Sequence, residues 1–215
     1  MELGDLKDKF IELYGKGTIE YFFSPSRVNL IGEHIDYNGG KVLPLAIEIG
    51  TYGLVRRRED NVLNLASLNM DLKVKTKIED IVYKKEDGWA NYPKGVISIL
   101  MQEGFKVGGM DILIYGNIPN GAGLSSSASL ELLIAQMVNE LFNKDEIDRV
   151  DLVKISQRAE NEFVGVNCGI MDQFVIGMGK KDKAILLDTD TLDYTYVDMD
   201  LKDYTLVIMN TNKRR

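Results

Sequence analysis

The chain has 215 residues, 45% of them hydrophobic and 27% charged, with a formal net charge of −7. That balance is one of a soluble globular protein, and its acidity excludes a general nucleic-acid binder. A single cysteine, Cys168, excludes an internal disulfide and fits a reducing cytoplasm; no apolar run reaches membrane-span length, and the acidic start at residues 1–5 is no signal peptide.

Apolar residues at Leu3, Leu6, Phe10, Leu13 and Tyr14 predict a helix over residues 3–14, ended by Gly15 and Gly17. Residues 19–23, β-branched and aromatic, read as a short strand. Residues 24–40 show neither helical nor strand period and are bracketed by glycines, so they read as an ordered loop. Two strands are expected over 41–58, with Pro44 and Gly50 marking breaks or edges; Arg56, Arg57 and Arg58 read as a solvated strand edge. Further strands are expected at 61–68, 72–78 and 81–84, the second alternating so that one face is wet. Residues 89–102 read as a helix with Tyr92, Val96, Ile99 and Leu100 inward and Pro93 in its first turn. A strand at 110–115 leads to a glycine- and serine-rich turn. Leu130, Leu133, Ile134, Met137, Val138 and Leu141 then mark one buried face of a helix over 130–142. A second long helix is expected over 145–164, with Leu152, Ile155, Ala159 and Phe163 as its stripe and Glu160 beside it. Strands follow at 184–187, 194–199 and 205–209, and no linker or repeat divides the chain, which reads as one continuous domain over 1–215.

Three stretches carry chemistry. The turn Pro119-Asn-Gly-Ala-Gly-Leu-Ser-Ser-Ser-Ala-Ser129 joins a strand to a helix start. The first amides of a helix lack internal partners and carry partial positive charge, so such a turn suits an anion. Gly121 and Gly123 allow close backbone approach, and Ser125, Ser126, Ser127 and Ser129 add hydroxyls. It is not a Walker A loop, since no Gly-Lys-Ser/Thr follows. The stretch after Pro25 packs Arg27, Asn29, Glu33, His34, Asp36, Tyr37 and Asn38 together. Mixed donors and acceptors suit a polyhydroxylated ligand. His34 is the only histidine, which argues against a zinc hydrolase or a His-based triad. In the third stretch, 165–174, Asp172 and Gln173 stand among apolar residues at a helix start. Asp172 reads there either as a carboxylate favoured by the helix dipole or as a general base. Trp89 is either a core residue or a platform for a base.

Together these stretches resemble the galactokinases of the GHMP small-molecule kinase family. The resemblance rests on Pro25-Ser-Arg-Val-Asn-Leu-Ile-Gly-Glu-His-Ile-Asp-Tyr-Asn-Gly-Gly40, the glycine–serine turn, Cys168-Gly-Ile-Met-Asp-Gln-Phe174 and Trp89-Ala-Asn-Tyr92. It implies an α+β fold, the GHMP kinase N-terminal domain, like domain 2 of ribosomal protein S5, with a mostly antiparallel sheet carrying helices. It implies ATP-dependent phosphorylation of α-D-galactose at its 1-hydroxyl. The residues it implies for galactose are Glu33, His34, Ile35, Asp36, Gly169 and Asp172. Those for the ATP phosphates are Gly121, Ala122, Gly123, Leu124, Ser125, Ser126 and Ser127; those near the base are Ser67 and Trp89. Ser127 and Glu160 match the Mg2+ positions, Asp172 the catalytic base and Arg27 the stabiliser of the transition state. The resemblance also implies a cytoplasmic enzyme, monomeric at full length, with no nucleic-acid or membrane partner.

Ser26 and Ile35 depart from the family's usual Gly and Thr. The larger departure is length: galactokinases are nearly twice as long. The expectation is therefore an N-terminal domain without its C-terminal GHMP domain and that domain's glycine-rich loop, with little kinase activity alone. A kinase for a related sugar, N-acetylgalactosamine or galacturonate, and a non-catalytic sugar sensor of the same fold are the alternatives. The complete serine run at 125–129 favours the enzyme over the sensor.

Overall fold

The computed structural model describes residues 3–119 and 121–209. Helix α1 (Leu3–Tyr14) forms where its apolar spacing predicts it and buries Leu6 and Phe10. Strand β1 (Glu20–Asn29) runs well past the expected stop at residue 23, into the stretch read as a loop. Residues 24–29 have no strand period of their own; their backbone is held by antiparallel pairing with β3 (Pro44–Arg57). Pairing overrides local propensity here. The ladder slips between Pro25 and Ser26, a bulge that accommodates the donor proline lacks. Pro44 does bound a strand, after the short β2 (Lys41–Val42). Gly50 does not break one. It lies inside β3 opposite Pro25, and a Cβ there would stand 2.1 Å from the Ser24 carbonyl oxygen.

Strands β4 (Val62–Ser67) and β5 (Val74–Lys77) follow. The strand expected at 81–84 does not form: a 3-10 turn at Ile78–Asp80 closes β5, and another at Lys85–Ala90 leads into α2 (Asn91–Gln102). Ile81 packs on the core there while Val82 and Tyr83 stay exposed. After β6 (Met110–Gly116) come α3 (Ser126–Asn143) and α4 (Arg149–Arg158). The predicted helix over 145–164 is thus shorter. Asp148 caps α4 by accepting from the Val150 amide, and its far end widens into a π-helical turn at Ala159–Val164. Helix α5 (Met171–Met178) and strands β7 (Lys183–Asp188) and β8 (Tyr194–Asp198) complete the elements. Residues 205–209, expected as a strand, join no ladder.

The strands form one sheet in the order β2-β7-β3-β6-β4-β5, with β1 also on β3 and β8 on β7. It is mostly antiparallel, as expected for this α+β fold. The exception is β4 beside β6, a parallel pair whose crossover contains α2. Alternation along the strands sends Val55, Ile112 and Ile114 to the face covered by α2–α5, and Leu54 and Leu113 to the face covered by α1. The arginine run is no solvated edge. Arg56 and Arg58 pair with the fully buried Asp111 at 2.6 and 2.9 Å, and Arg56 also donates to the carbonyls that end α1. Arg57 stacks on Phe142. No helix among the described residues is long and apolar enough to cross a membrane.

Candidate active site

The end of β1 carries Arg27, and its neighbour Ser26 donates to the Leu124 carbonyl at 2.6 Å, tying the strand to the glycine–serine turn. Arg27 is the hub. Its Nε and Nη2 reach the two carboxylate oxygens of Asp172 at 2.7 and 2.8 Å, and its Nη1 donates to the Gly123 carbonyl at 2.7 Å. The bidentate fork fixes the plane of the carboxylate. Asp172 lies in the first turn of α5, whose N-cap residue is Ile170; the carboxylate makes no cap and turns to Arg27 instead.

The turn before α3 is built from left-handed residues. Gly121 and Gly123 have φ near 70°, a conformation that only glycine adopts without strain. Ser125 is left-handed too, at φ 59°, and caps no amide with its side chain; its hydroxyl donates to Asp172 Oδ2. The first amides of α3 therefore keep no side-chain cap and face the cleft with the macrodipole behind them. Ser129 has no part in this. It is fully buried, one helical turn on, with its hydroxyl donating to the Ser24 carbonyl and accepting from the Thr51 hydroxyl.

Residues 30–40 close over the same place as successive turns. His34 Nδ1 lies 2.6 Å from the Tyr37 hydroxyl, Asn38 donates to the His34 carbonyl, and Asn29 donates to Glu33 at 3.2 Å. The Asp36 carboxylate packs against Gly169, where a Cβ would stand 2.1 Å from Oδ2. Burial, then the charge of Asp172, raises the Asp36 pKa above the usual carboxylate range.

One cleft of about 820 Å³ collects these groups. Arg27, Glu33, His34, Asp36, Gly169 and Asp172 line one part of it, and Gly121 to Ser127 another. Its size suits a small polar ligand with a second one beside it. Ile35 does not line it; its side chain packs over Gly40. Nor do Ser67 and Trp89. The Ser67 hydroxyl accepts from the Asn69 amide, and the Trp89 indole donates to the Leu72 carbonyl. Glu160 is buried just behind the cleft wall, in the π turn; Gln173 donates to it at 2.8 Å, and Ser127 lies close enough to favour its charged form. Among the described residues no three His, Cys, Asp or Glu side chains gather as a metal site. A magnesium ion held with a nucleotide needs only one or two protein oxygens beside the phosphates, and the Ser127–Glu160 pair fits that demand.

Two models of known families match the chain: the GHMP kinases N terminal domain over residues 91–180 and the galactokinase galactose-binding signature over residues 8–57. Galactokinase from Clostridium tetani is 64% identical over all of this chain and 55% of its own length, and that from Ligilactobacillus salivarius is 58% identical over 98% and 55%. The crystal structure of Lactococcus lactis galactokinase complexed with galactose superposes with a TM-score of 0.95 at 48% identity, covering 99% of this chain and 56% of that one. Over residues 91–180 the chain is similar to the N-terminal domain of the GHMP kinases. Within them it matches the N-terminal region of galactokinases, and it spans about half the length of the curated relatives it matches. The GHMP fold is shared more widely: Methanococcus jannaschii mevalonate kinase superposes at a TM-score of 0.70 with 20% identity.

In this chain the structure adds groups that the sequence reading did not place in the site. Cys168 lines the cleft with its thiol 3.4 Å from Glu160, and burial, then Glu160, raises its pKa. Asn167 and Leu206 to Ile208 line it as well. Glu131 is fully buried on α3. A signal for it was present: it is the one charge inside the apolar run from Leu130 to Ala135.

Proposed function

We propose that this chain forms the galactose- and ATP-phosphate-binding part of a galactokinase, which transfers the γ-phosphoryl group of ATP to the 1-hydroxyl of α-D-galactose. One observation carries the reading: the Asp172 carboxylate, gripped by Arg27, stands in a single cleft between the Glu33–His34–Asp36 loop and the glycine–serine turn. The relatives named galactokinase, and the solved relative with galactose, support it.

The geometry suits phosphoryl transfer, which asks mainly for in-line positioning and neutralised charge. Glu33, His34 and Asp36 offer both donors and acceptors to sugar hydroxyls. An ionised carboxylate has about four acceptor sites. Three on Asp172 are occupied, two by Arg27 and one by Ser125. The site left on Oδ1 accepts the 1-hydroxyl, and orients it or takes its proton as the new O–P bond forms and ADP leaves. The amides after Gly123 hold the phosphate oxygens, and Arg27 faces the transferred group. Ser127 and Glu160 would hold Mg2+, which neutralises phosphate charge when bound with ATP. Ser67 and Trp89, which stand outside the cleft, are the residues assigned to the adenine side by the resemblance alone. The cellular setting of this reading is the cytoplasm, where ATP is abundant and Cys168 stays a thiol, and the working enzyme is a monomer.

Calorimetry with galactose and its epimer glucose tests the sugar site, and ADP release tests the transfer. The transfer is assayed on this chain alone and joined to the remaining segment of the Clostridium tetani relative. Galactose binding without glucose binding is expected, with slow ADP release by the chain alone and rapid release by the joined polypeptide. Asp172→Asn is expected to keep galactose binding and lower turnover by roughly 10²- to 10⁴-fold. Turnover near that of the parent sinks the role of Asp172, and a joined polypeptide blind to galactose sinks the function.

A further inference from the structure

Behind the cleft lies a cluster that phosphoryl transfer does not by itself explain. Gln173, fully buried on α5, donates its amide to two carboxyl groups from two other elements: Glu131 on α3 at 3.0 Å and Glu160 in the π turn at 2.8 Å. Glu131 is fully buried and Glu160 is 6% exposed. One oxygen of Glu131 and the side-chain oxygen of Gln173 have no partner. Two buried carboxyl groups joined by one amide cost the helix bundle stability rather than supply it, so packing alone does not account for them.

The placement shows what they serve. Ser127 and Glu131 are four residues apart on α3, so they project from one face, one above the other. Ser127 stands close enough to Glu160 to favour its charged form, and Glu131 reaches it through Gln173. Glu160 sits on a π-helical turn, a local widening whose outline its own hydrogen bonds do not fix as tightly as an α-helix would. The carboxylate is instead held from outside, by the same helix that presents the phosphate-facing serines. Gln173 adjoins Asp172 in sequence, so α5 fixes both the reacting side of the cleft and this brace.

We propose that Gln173 and Glu131 are positioning residues that hold the Glu160 carboxylate in register with Ser127 for a divalent cation. The inference rests on the reading of Ser127 and Glu160 as the cation's protein ligands. Outer partners of this kind orient the ligand and are felt in metal affinity more than in the fold.

The test is titration of Mn2+ into the full chain in the presence of ADP, with bound ion read by electron paramagnetic resonance. Galactose affinity and thermal melting are measured beside it. Gln173→Met and Glu131→Leu are each expected to weaken the ion by roughly tenfold with galactose affinity held within about twofold. Glu131→Gln keeps an oxygen for the Gln173 amide and is expected to restore the parent's ion affinity. Glu160→Gln separates the two readings. If it leaves ion binding untouched, or the parent binds none, the ligand assignment is wrong and the inference goes with it. If it removes the ion while Gln173→Met and Glu131→Leu leave affinity unchanged, only the brace is overturned. Joint loss of ion and galactose in those two variants also overturns it, as a merely structural effect. Should Gln173→Met fail to fold, the contrast between Glu131→Leu and Glu131→Gln decides.

Discussion

Arg27 and Asp172 are 145 positions apart and meet in a two-point ion pair, and nothing local in either stretch announces the other. What the sequence did show at this scale was residue type and motif: a carboxylate among apolar residues, a turn with two glycines, a loop dense in polar groups. Which atoms meet comes only from the fold. Two substitutions test the meeting points. Ser125 holds a left-handed backbone that costs a non-glycine residue about 1–2 kcal/mol, and its hydroxyl binds Asp172. Ser125→Gly is expected to leave the melting temperature equal or higher while turnover of the joined polypeptide falls by roughly tenfold, the loss of one hydrogen bond to a charged group. A parallel drop in both quantities sinks that separation. Gly169 is small because Asp36 occupies its Cβ space. Gly169→Ala is expected to push Asp36 aside and weaken galactose by roughly 10- to 100-fold in calorimetry, with melting little changed.

At the scale of elements, the helices were legible because each buries an apolar stripe whose period is written locally: α1, α2 and α3 stand within a few residues of their predicted spans. Strands were legible only where they alternate or form apolar runs. The second half of β1 is polar and carries a proline; it is a strand because β3 lies beside it. Residues 81–84 and 205–209 have β-prone composition and no ladder partner, so composition misled there. The β1–β3 pairing matters most for the site, since it aims Arg27. At Gly50 the two strands leave no room for a side chain, with backbone and the Phe23 ring in the way of any Cβ. Gly50→Ala is expected to lower stability by about 1–3 kcal/mol in urea unfolding, because a backbone oxygen cannot yield as a side-chain tip can. An unchanged midpoint shows that β1 slides freely, and the rigid placement of Arg27 then fails.

Across the whole molecule, the sheet and helices leave one buried carboxyl with a large consequence for stability against pH. Burial first, then the charge of Glu160, pushes the Glu131 pKa from 4.5 to about 9. The groups facing it come from four places: Glu160 and Cys168 beyond Gln173, Asp172 on α5, and Tyr92 on α2. No cation among these offsets its charge. The folded chain therefore holds a proton here that the unfolded chain has released, so stability falls as pH rises from 4.5, and the loss is complete above about 9. Replacing the carboxyl by an amide of the same shape removes that proton from the balance. Without divalent cations, Glu131→Gln is expected to melt near the parent below pH 4.5 and above it at alkaline pH. The gain there should reach at least about 2–4 °C, the shift that roughly 1 kcal/mol produces in a chain of this size. Glu160 is raised by burial as well and tilts the parent's curve the same way, so the difference between the two proteins, and not either curve alone, isolates Glu131. Two melting curves that stay parallel from acid to alkali mean that Glu131 is ionised in the folded chain, and its charge must then be offset by a contact that this arrangement does not contain.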